Sequence, residues 1–130
     1  MPGAMTFDEN LPEQCPPAEC DCAELEKVYR MLKGSTPSDA DWLSYLQEGK
    51  PCPARLDPCR WGSLSLQTCF PAIQKLAKLP NFRNATHAAI LTLPATAGVH
   101  KTQGNHVDFW RDTAANLNDF VTAVKAVHNG

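Results

Sequence analysis

The chain has 130 residues, a formal net charge of −2 and a charged fraction of 20%. This length is enough for one domain with its own hydrophobic core. The slightly acidic balance argues against the strongly basic surface that a nucleic-acid partner requires, and no apolar run approaches the roughly 20 residues of a membrane span.

All six cysteines lie in the first 69 residues. An even number is compatible with three disulfides, which would tie a proline-rich entry segment to the body. The spacings lack two Cys-x-x-Cys pairs, so no metal site is predicted, although zinc and unlinked thiols stay open as alternatives. The cytoplasm is slightly favoured as the compartment, and six cysteines also fit a secreted protein. The cysteines are Cys15, Cys20, Cys22, Cys52, Cys59 and Cys69.

The first half of the chain predicts an arm, a strand and a helix. Residues 1–22 carry four prolines without periodicity, which indicates an extended arm or a disordered tail ahead of a single domain over residues 23–130. Residues 28–32 predict a strand, with the end of a preceding helix as the alternative. Residues 36–49 begin with a capping threonine and a proline at the first helical position, which predicts a helix. Prolines make residues 49–60 a loop.

The second half predicts most of a sheet. Residues 63–66 and 106–110 alternate apolar and polar side chains with the period of a strand. Residues 86–93 are apolar on both faces, as expected of a central strand. Residues 99–102 predict one more strand, joined to the strand at 106–110 by a turn at residues 104–105.

Two further helices complete the prediction. Thr68 can cap a helix over residues 69–79. Apolar side chains at helical spacing over residues 113–128 predict a C-terminal amphipathic helix. The predicted order is therefore β-α-β-α-β-β-β-α, an α+β fold with a small mixed sheet. The inward stripe of the last helix would consist of Leu117, Phe120, Val121, Val124 and Val127.

The two alternating strands each present a polar face. Ser63 and Ser65 share one face of the first, and His106, Asp108 and Trp110 share one face of the second. If the apolar faces meet one core, the polar faces form a common cleft. The spacing of His106 and Asp108 suits an oriented acid–base pair for proton transfer. The sequence thus predicts a cleft for a small polar ligand.

In their order along the chain, these motifs resemble a group of small bacterial proteins of unassigned function. That group carries a Tyr-Arg strand, a Ser-Leu-Ser strand and a His-x-x-x-Trp strand. Here the three motifs lie at residues 29–30, 63–65 and 106–110, and the resemblance covers residues 28–112.

An arginine strand followed by a serine strand is also similar to the first two parts of the Arg–Ser–Glu site of ADP-ribosyltransferase-like folds. This resemblance implies that Arg30 holds a phosphate of NAD and that Ser63 or Ser65 braces the ribose. Trp110 would stack on a base or ring. The family's glutamate is replaced, since the late strand offers a histidine and an aspartate.

Three functional hypotheses follow. The first is a soluble bacterial domain with a nucleotide-type ligand cleft, such as an ADP-ribosyltransferase-like toxin or accessory protein, with NAD as the candidate ligand. The second is a non-catalytic immunity or adaptor domain that binds a protein partner. The third is a Cys–His amidase or peptidase. It would use Cys69 at a helix N-terminus, a later histidine as base and Asp108 to orient it. Whether the protein is an enzyme stays open among them.

Overall fold

Six strands form one sheet in a computed structural model that describes residues 5–82 and 84–128. Neighbouring strands all pair antiparallel, so the α+β class is confirmed but the sheet is antiparallel rather than mixed. Antiparallel neighbours can be joined by tight turns, as two strands are here at Gly104, where φ is 60°. The strands are β1 (Leu25–Leu32), β2 (Leu64–Gln67), β3 (His87–Leu93), β4 (Gly98–Gln103), β5 (His106–Arg111) and β6 (Val121–Ala126). Their order across the sheet is β4-β5-β2-β1-β3-β6.

Two α-helices accompany the sheet, α1 (Pro58–Trp61) and α2 (Phe70–Ala77). The helix predicted over residues 69–79 is confirmed as α2. Cys69 is its N-cap residue, and Pro71 occupies the first turn, where a missing backbone N–H breaks no helical hydrogen bond. Within the described residues, neither α-helix is long and apolar enough to cross a membrane.

Each face of the sheet carries an apolar core. On one face, Val28 and Leu32 of β1 are almost completely buried. On the other face, Tyr29 of β1 packs with Ile73 and Ala77 of α2. Consecutive side chains of β1 therefore enter different cores, as strand geometry requires. The apolar faces of β2 and β5 meet in the first core, as predicted, through Leu64, Leu66, Val107 and Phe109.

The sheet opens between its two central strands. β1 and β2 share one bridge, Tyr29 with Gln67. Beyond it β1 continues along β3 as far as Leu32, while β2 follows β5 from Leu64. The two strands therefore diverge, and residues 30–32 face residues 64–66 across a gap, which we call the fork. This gap positions the candidate site.

The predicted C-terminal helix over residues 113–128 is wrong. A short 3-10 helix (Leu117–Phe120) leads instead into β6, which pairs with β3. The register shifts between Ile90 and Leu91, which leaves one extra residue in β6. Val121 and Val124, three residues apart, therefore both pack on the same core. A β-bulge has produced an apolar spacing that is typical of a helix.

The predicted helix over residues 36–49 is also wrong, because only a 3-10 helix (Asp39–Trp42) forms. The Arg30 guanidinium donates hydrogen bonds to the carbonyl oxygens of Asp41 and Leu43, from Nε at 2.9 Å and from Nη2 at 3.4 Å. An α-helix would need those oxygens for its own N–H groups. Leu43 is extended instead, with ψ of 133°.

The N-terminal arm is tied to the body at several points, and its first four residues lie outside the described part. Cys15 and Cys59 form a disulfide across 44 positions of sequence. Asp21 and His100 exchange two backbone hydrogen bonds of 2.8 Å. Six cysteines were compatible with up to three disulfides; the described residues contain one, and their free cysteines are Cys20, Cys22, Cys52 and Cys69.

Candidate functional site

A polar cluster lies where β2 and β5 pair. Ser65 is paired with Asp108, and Gln67 with His106. Paired residues of antiparallel strands place their side chains on the same face, so all four project together. The face is that of α2, because Gln67 also pairs with Tyr29, whose ring packs against Phe70 at 5.9 Å.

His106 is held at both ring nitrogens. Its Nε2 lies 2.8 Å from Oδ1 of Asp108. Its Nδ1 faces Nε2 of Gln67 at 3.2 Å and Oγ of Ser65 at 3.4 Å. An ionised carboxylate only accepts hydrogen bonds, so Nε2 carries the proton and Nδ1 offers a lone pair in the neutral ring. The histidine can thus accept a proton at Nδ1.

Asp108 is the buried anion of the cluster, with 6% of its surface exposed. Arg60 of α1 donates from Nε to Oδ2 at 2.9 Å, and the Ser63 hydroxyl lies 3.3 Å from Oδ1. Burial is the largest single influence and raises the pKa of Asp108. The hydrogen bond and charge of His106, together with Arg60, outweigh it and lower the pKa below its ordinary value. The carboxylate therefore remains ionised at neutral pH.

Asp108 should make the protein acid-sensitive. Its contribution to stability is fully present above the unfolded aspartate pKa of about 3.9 and is lost as the pH falls through the lower folded pKa. Asp108→Asn should lower the free energy of unfolding by about 1–3 kcal/mol at neutral pH, and this deficit should shrink in acid. Urea unfolding at several pH values measures it, with exposed Asp119→Asn as control. A deficit that stays constant down to pH ~2 would contradict the assignment.

Arg30 enters the site from the opposite face of the sheet. It follows Tyr29 on β1 and therefore points toward the core of Val28, but its guanidinium turns into the fork. There Nη1 donates to the Ser65 carbonyl oxygen at 3.0 Å, in addition to the two bonds described above. The side chain thus crosses the gap from β1 to β2. Burial lowers the pKa of Arg30, and the nearby negative charges of Asp41 and Glu48 act against this effect.

A cavity of about 350 Å³ occupies the fork. Arg30, Ser63, Ser65 and Gln67 form part of its polar wall. The apolar wall comes from α2 and the segments after it, through Ile73, Leu76, Phe82 and Ala85. His106 and Asp108 lie behind the serines, in contact with them but outside the lining.

Trp110 does not serve the predicted stacking role. Its side chain is buried, with 2% of its surface exposed, and Nε1 donates to the Cys59 carbonyl oxygen at 3.0 Å. Both features fix the indole against α1 and the disulfide. A ligand has no exposed ring face to stack on here, because the strand end that carries Trp110 is covered by the 58–61 helix.

The structure brings five of the predicted site residues into one connected network and adds two more. Arg60 and Gln67 were missed. A local signal for Arg60 exists, since Asp57 caps Cys59 N–H at 2.9 Å and Pro58 starts a helical turn. Gln67 continues the serine face of β2 at the same spacing. The predicted residues in the network are Arg30, Ser63, Ser65, His106 and Asp108.

Cys69 stands apart from this network. It is half-buried at the N-cap of α2, and within the described residues no histidine side chain hydrogen-bonds to it. The same part of the chain contains no group of three or more His, Cys, Asp or Glu side chains suited to a metal ion.

Comparison of the chain with family models, with curated proteins and with solved structures gave no match.

Proposed function

We propose that this protein binds a small molecule carrying a phosphate or carboxylate group, in the fork cavity, with Arg30 as the recognition residue. The observation that supports this is the environment of the guanidinium. It is half-buried and donates hydrogen bonds to three backbone carbonyl oxygens. Among the described residues, no carboxylate lies within 4 Å of it.

A half-buried cation with no carboxylate in direct contact favours an anionic ligand. Carbonyl oxygens orient the guanidinium but bring no net charge, and Asp41 and Glu48 act on it only through space. A partly buried charge is stabilised by direct pairing. Arginine has five N–H donors, and three hydrogen bonds are made here, so donors remain for an oxyanion. The planar guanidinium can donate to two oxygens of one phosphate or carboxylate at the same time.

The cavity limits the size of the ligand. A volume of about 350 Å³ lies at the lower end of small-molecule sites. This favours a sugar phosphate or a mononucleotide over a complete dinucleotide such as NAD. The exposed Ser65 hydroxyl and the Gln67 amide are placed to hydrogen-bond a sugar, and Ile73, Leu76 and Phe82 supply an apolar wall.

Calorimetric titration with inorganic phosphate, AMP and NAD tests this proposal. We expect Arg30→Gln to weaken AMP binding about 10–100-fold, because a charge-assisted hydrogen bond contributes about 1.5–3 kcal/mol. The exposed Arg55→Gln is the matched control and should bind normally. Ala40→Phe adds bulk at an exposed position of the cavity wall and removes none of the hydrogen-bonding groups of Arg30, so it separates blocked binding from misfolding.

The result that overturns the proposal is equally specific. Saturable binding of phosphate or AMP that persists unchanged in both Arg30→Gln and Ala40→Phe would place the anion elsewhere. Absence of binding by folded wild-type protein, with all three probes at millimolar concentration, would also reject an anion site in the fork.

A further inference from the structure

We propose that Ser65 is a nucleophile, with His106 as its general base and Asp108 as the residue that positions the imidazole. The site would cleave carboxylic esters. This inference rests on the proposed function only for the substrate's anionic group, since Ser65 lines the same cavity as Arg30. The chemistry itself depends on three side chains joined in sequence: Oγ of Ser65, the ring of His106 and the carboxylate of Asp108.

The proton on His106 lies on the side that this reaction needs. Asp108 is ionised and accepts from Nε2 at 2.8 Å, so the lone pair of the neutral ring is at Nδ1. Nδ1 faces the Ser65 hydroxyl at 3.4 Å, a separation within the looser range of unliganded sites. Gln67 Nε2 lies 3.2 Å from the same Nδ1, so it limits rotation of the ring and shares the Nδ1 lone pair with the Ser65 hydroxyl. Compared with the usual triad, the two ring nitrogens have exchanged partners.

Ser63, immediately before β2, and Ser65 within β2 differ in a way that selects one of them. Ser63 is buried, and its hydroxyl donates to the Arg60 carbonyl oxygen at 2.7 Å while also lying against Asp108. Ser65 is exposed, lines the cavity and has its hydroxyl beside Nδ1. Only Ser65 combines access for a substrate with a base.

The reaction that follows from this arrangement is acyl transfer. Oγ of Ser65 attacks the ester carbonyl carbon, and its proton passes to Nδ1 of His106. The bond from that carbon to the alcohol oxygen breaks, and the departing alcohol takes the proton from His106. Water then attacks the acyl-serine by the same route, releasing the carboxylic acid and restoring the hydroxyl. Water is the only co-reactant.

An uncharged fluorophosphonate probe tests the nucleophile directly. The serine oxygen forms a bond to phosphorus, fluoride leaves, and the proton passes through His106 to solvent. Intact-mass spectrometry of wild-type protein should show one adduct per chain, and peptide mapping should place it on Ser65. Ser65→Ala should give no adduct. His106→Gln should slow labelling at least about 100-fold, the usual contribution of a general base.

The control is Ser35→Ala, which removes another exposed serine and should label at the wild-type rate. Circular dichroism and thermal melting confirm that each variant is folded. No adduct on folded wild-type protein, an adduct on another residue, or labelling that is equally fast without His106 would each overturn the proposal.

The outcome is separable from that of anion binding. Labelling of Ser65 in a protein that binds neither phosphate nor AMP would support the nucleophile and reject the Arg30 site. Binding of AMP without labelling would reject the nucleophile and leave the ligand site in place.

Discussion

Replacing both Cys15 and Cys59 with serine removes the disulfide and should lower the free energy of unfolding by about 4 kcal/mol. The disulfide closes a segment of 44 positions, and the chain-entropy model gives about this value for such a loop. The loss is a large share of the stability of an ordinary domain, about 5–15 kcal/mol. The melting temperature should fall by about 12 °C for a chain of this length.

Thermal melts with and without reductant measure the effect. Reduced wild-type protein should match the double variant, whereas Cys22→Ser, which removes an exposed free thiol, should melt like the wild type. The link also holds α1 beside the cluster, since Cys59 precedes Arg60 and its carbonyl oxygen binds Trp110. Equal melting temperatures for reduced and oxidised wild-type protein would show that the cross-link contributes nothing.

Trp42→Ala should cost about 3–5 kcal/mol of unfolding free energy, the usual range for truncating a fully buried tryptophan. Trp42 is 2% exposed in the first core, and its Nε1 donates to Oδ1 of Asn118 at 2.7 Å. The side chain therefore ties the segment after β1 to the segment before β6. Its loss leaves both a cavity and an amide oxygen without its donor.

Trp42→Phe separates these two effects. It keeps most of the ring volume and removes the donor, so it should lower the free energy of unfolding by about 1–2 kcal/mol, the cost of losing one buried hydrogen bond. Urea unfolding monitored by circular dichroism gives both values, with the exposed Tyr45→Phe as the matched aromatic control. If the alanine variant lost less than about 1 kcal/mol, the packing of residues 39–42 on the core would be refuted.

Local patterns predicted the strands well and two helices badly. Alternation at residues 63–66 and 106–110 depends on side chains that each strand carries itself, and it was confirmed. The helix over residues 36–49 failed because Arg30, from another element, binds the carbonyl oxygens it would have used. The C-terminal helix failed because a bulge placed Val121 and Val124 on one face. Neither cause is visible in the segment concerned.

The candidate site shows the same division. The proximity of His106 and Asp108 follows from a spacing of two on a strand, and it was predicted. Their contact with Ser65 required β2 to lie beside β5, which the sequence left open. The fork depends on the strand order, and Arg60 reaches Asp108 from a turn held by the disulfide. These features are set by tertiary contacts rather than by local pattern.

The divergence of β1 from β2 has a mechanical consequence. It divides the sheet into two three-stranded wings, β4-β5-β2 and β1-β3-β6, whose backbones meet at the bridge between Tyr29 and Gln67. The guanidinium of Arg30 spans the fork, and the apolar core that both wings share holds them together. A molecule seated in the fork would contact both wings, so its binding would add non-covalent contacts between them where the backbones do not pair.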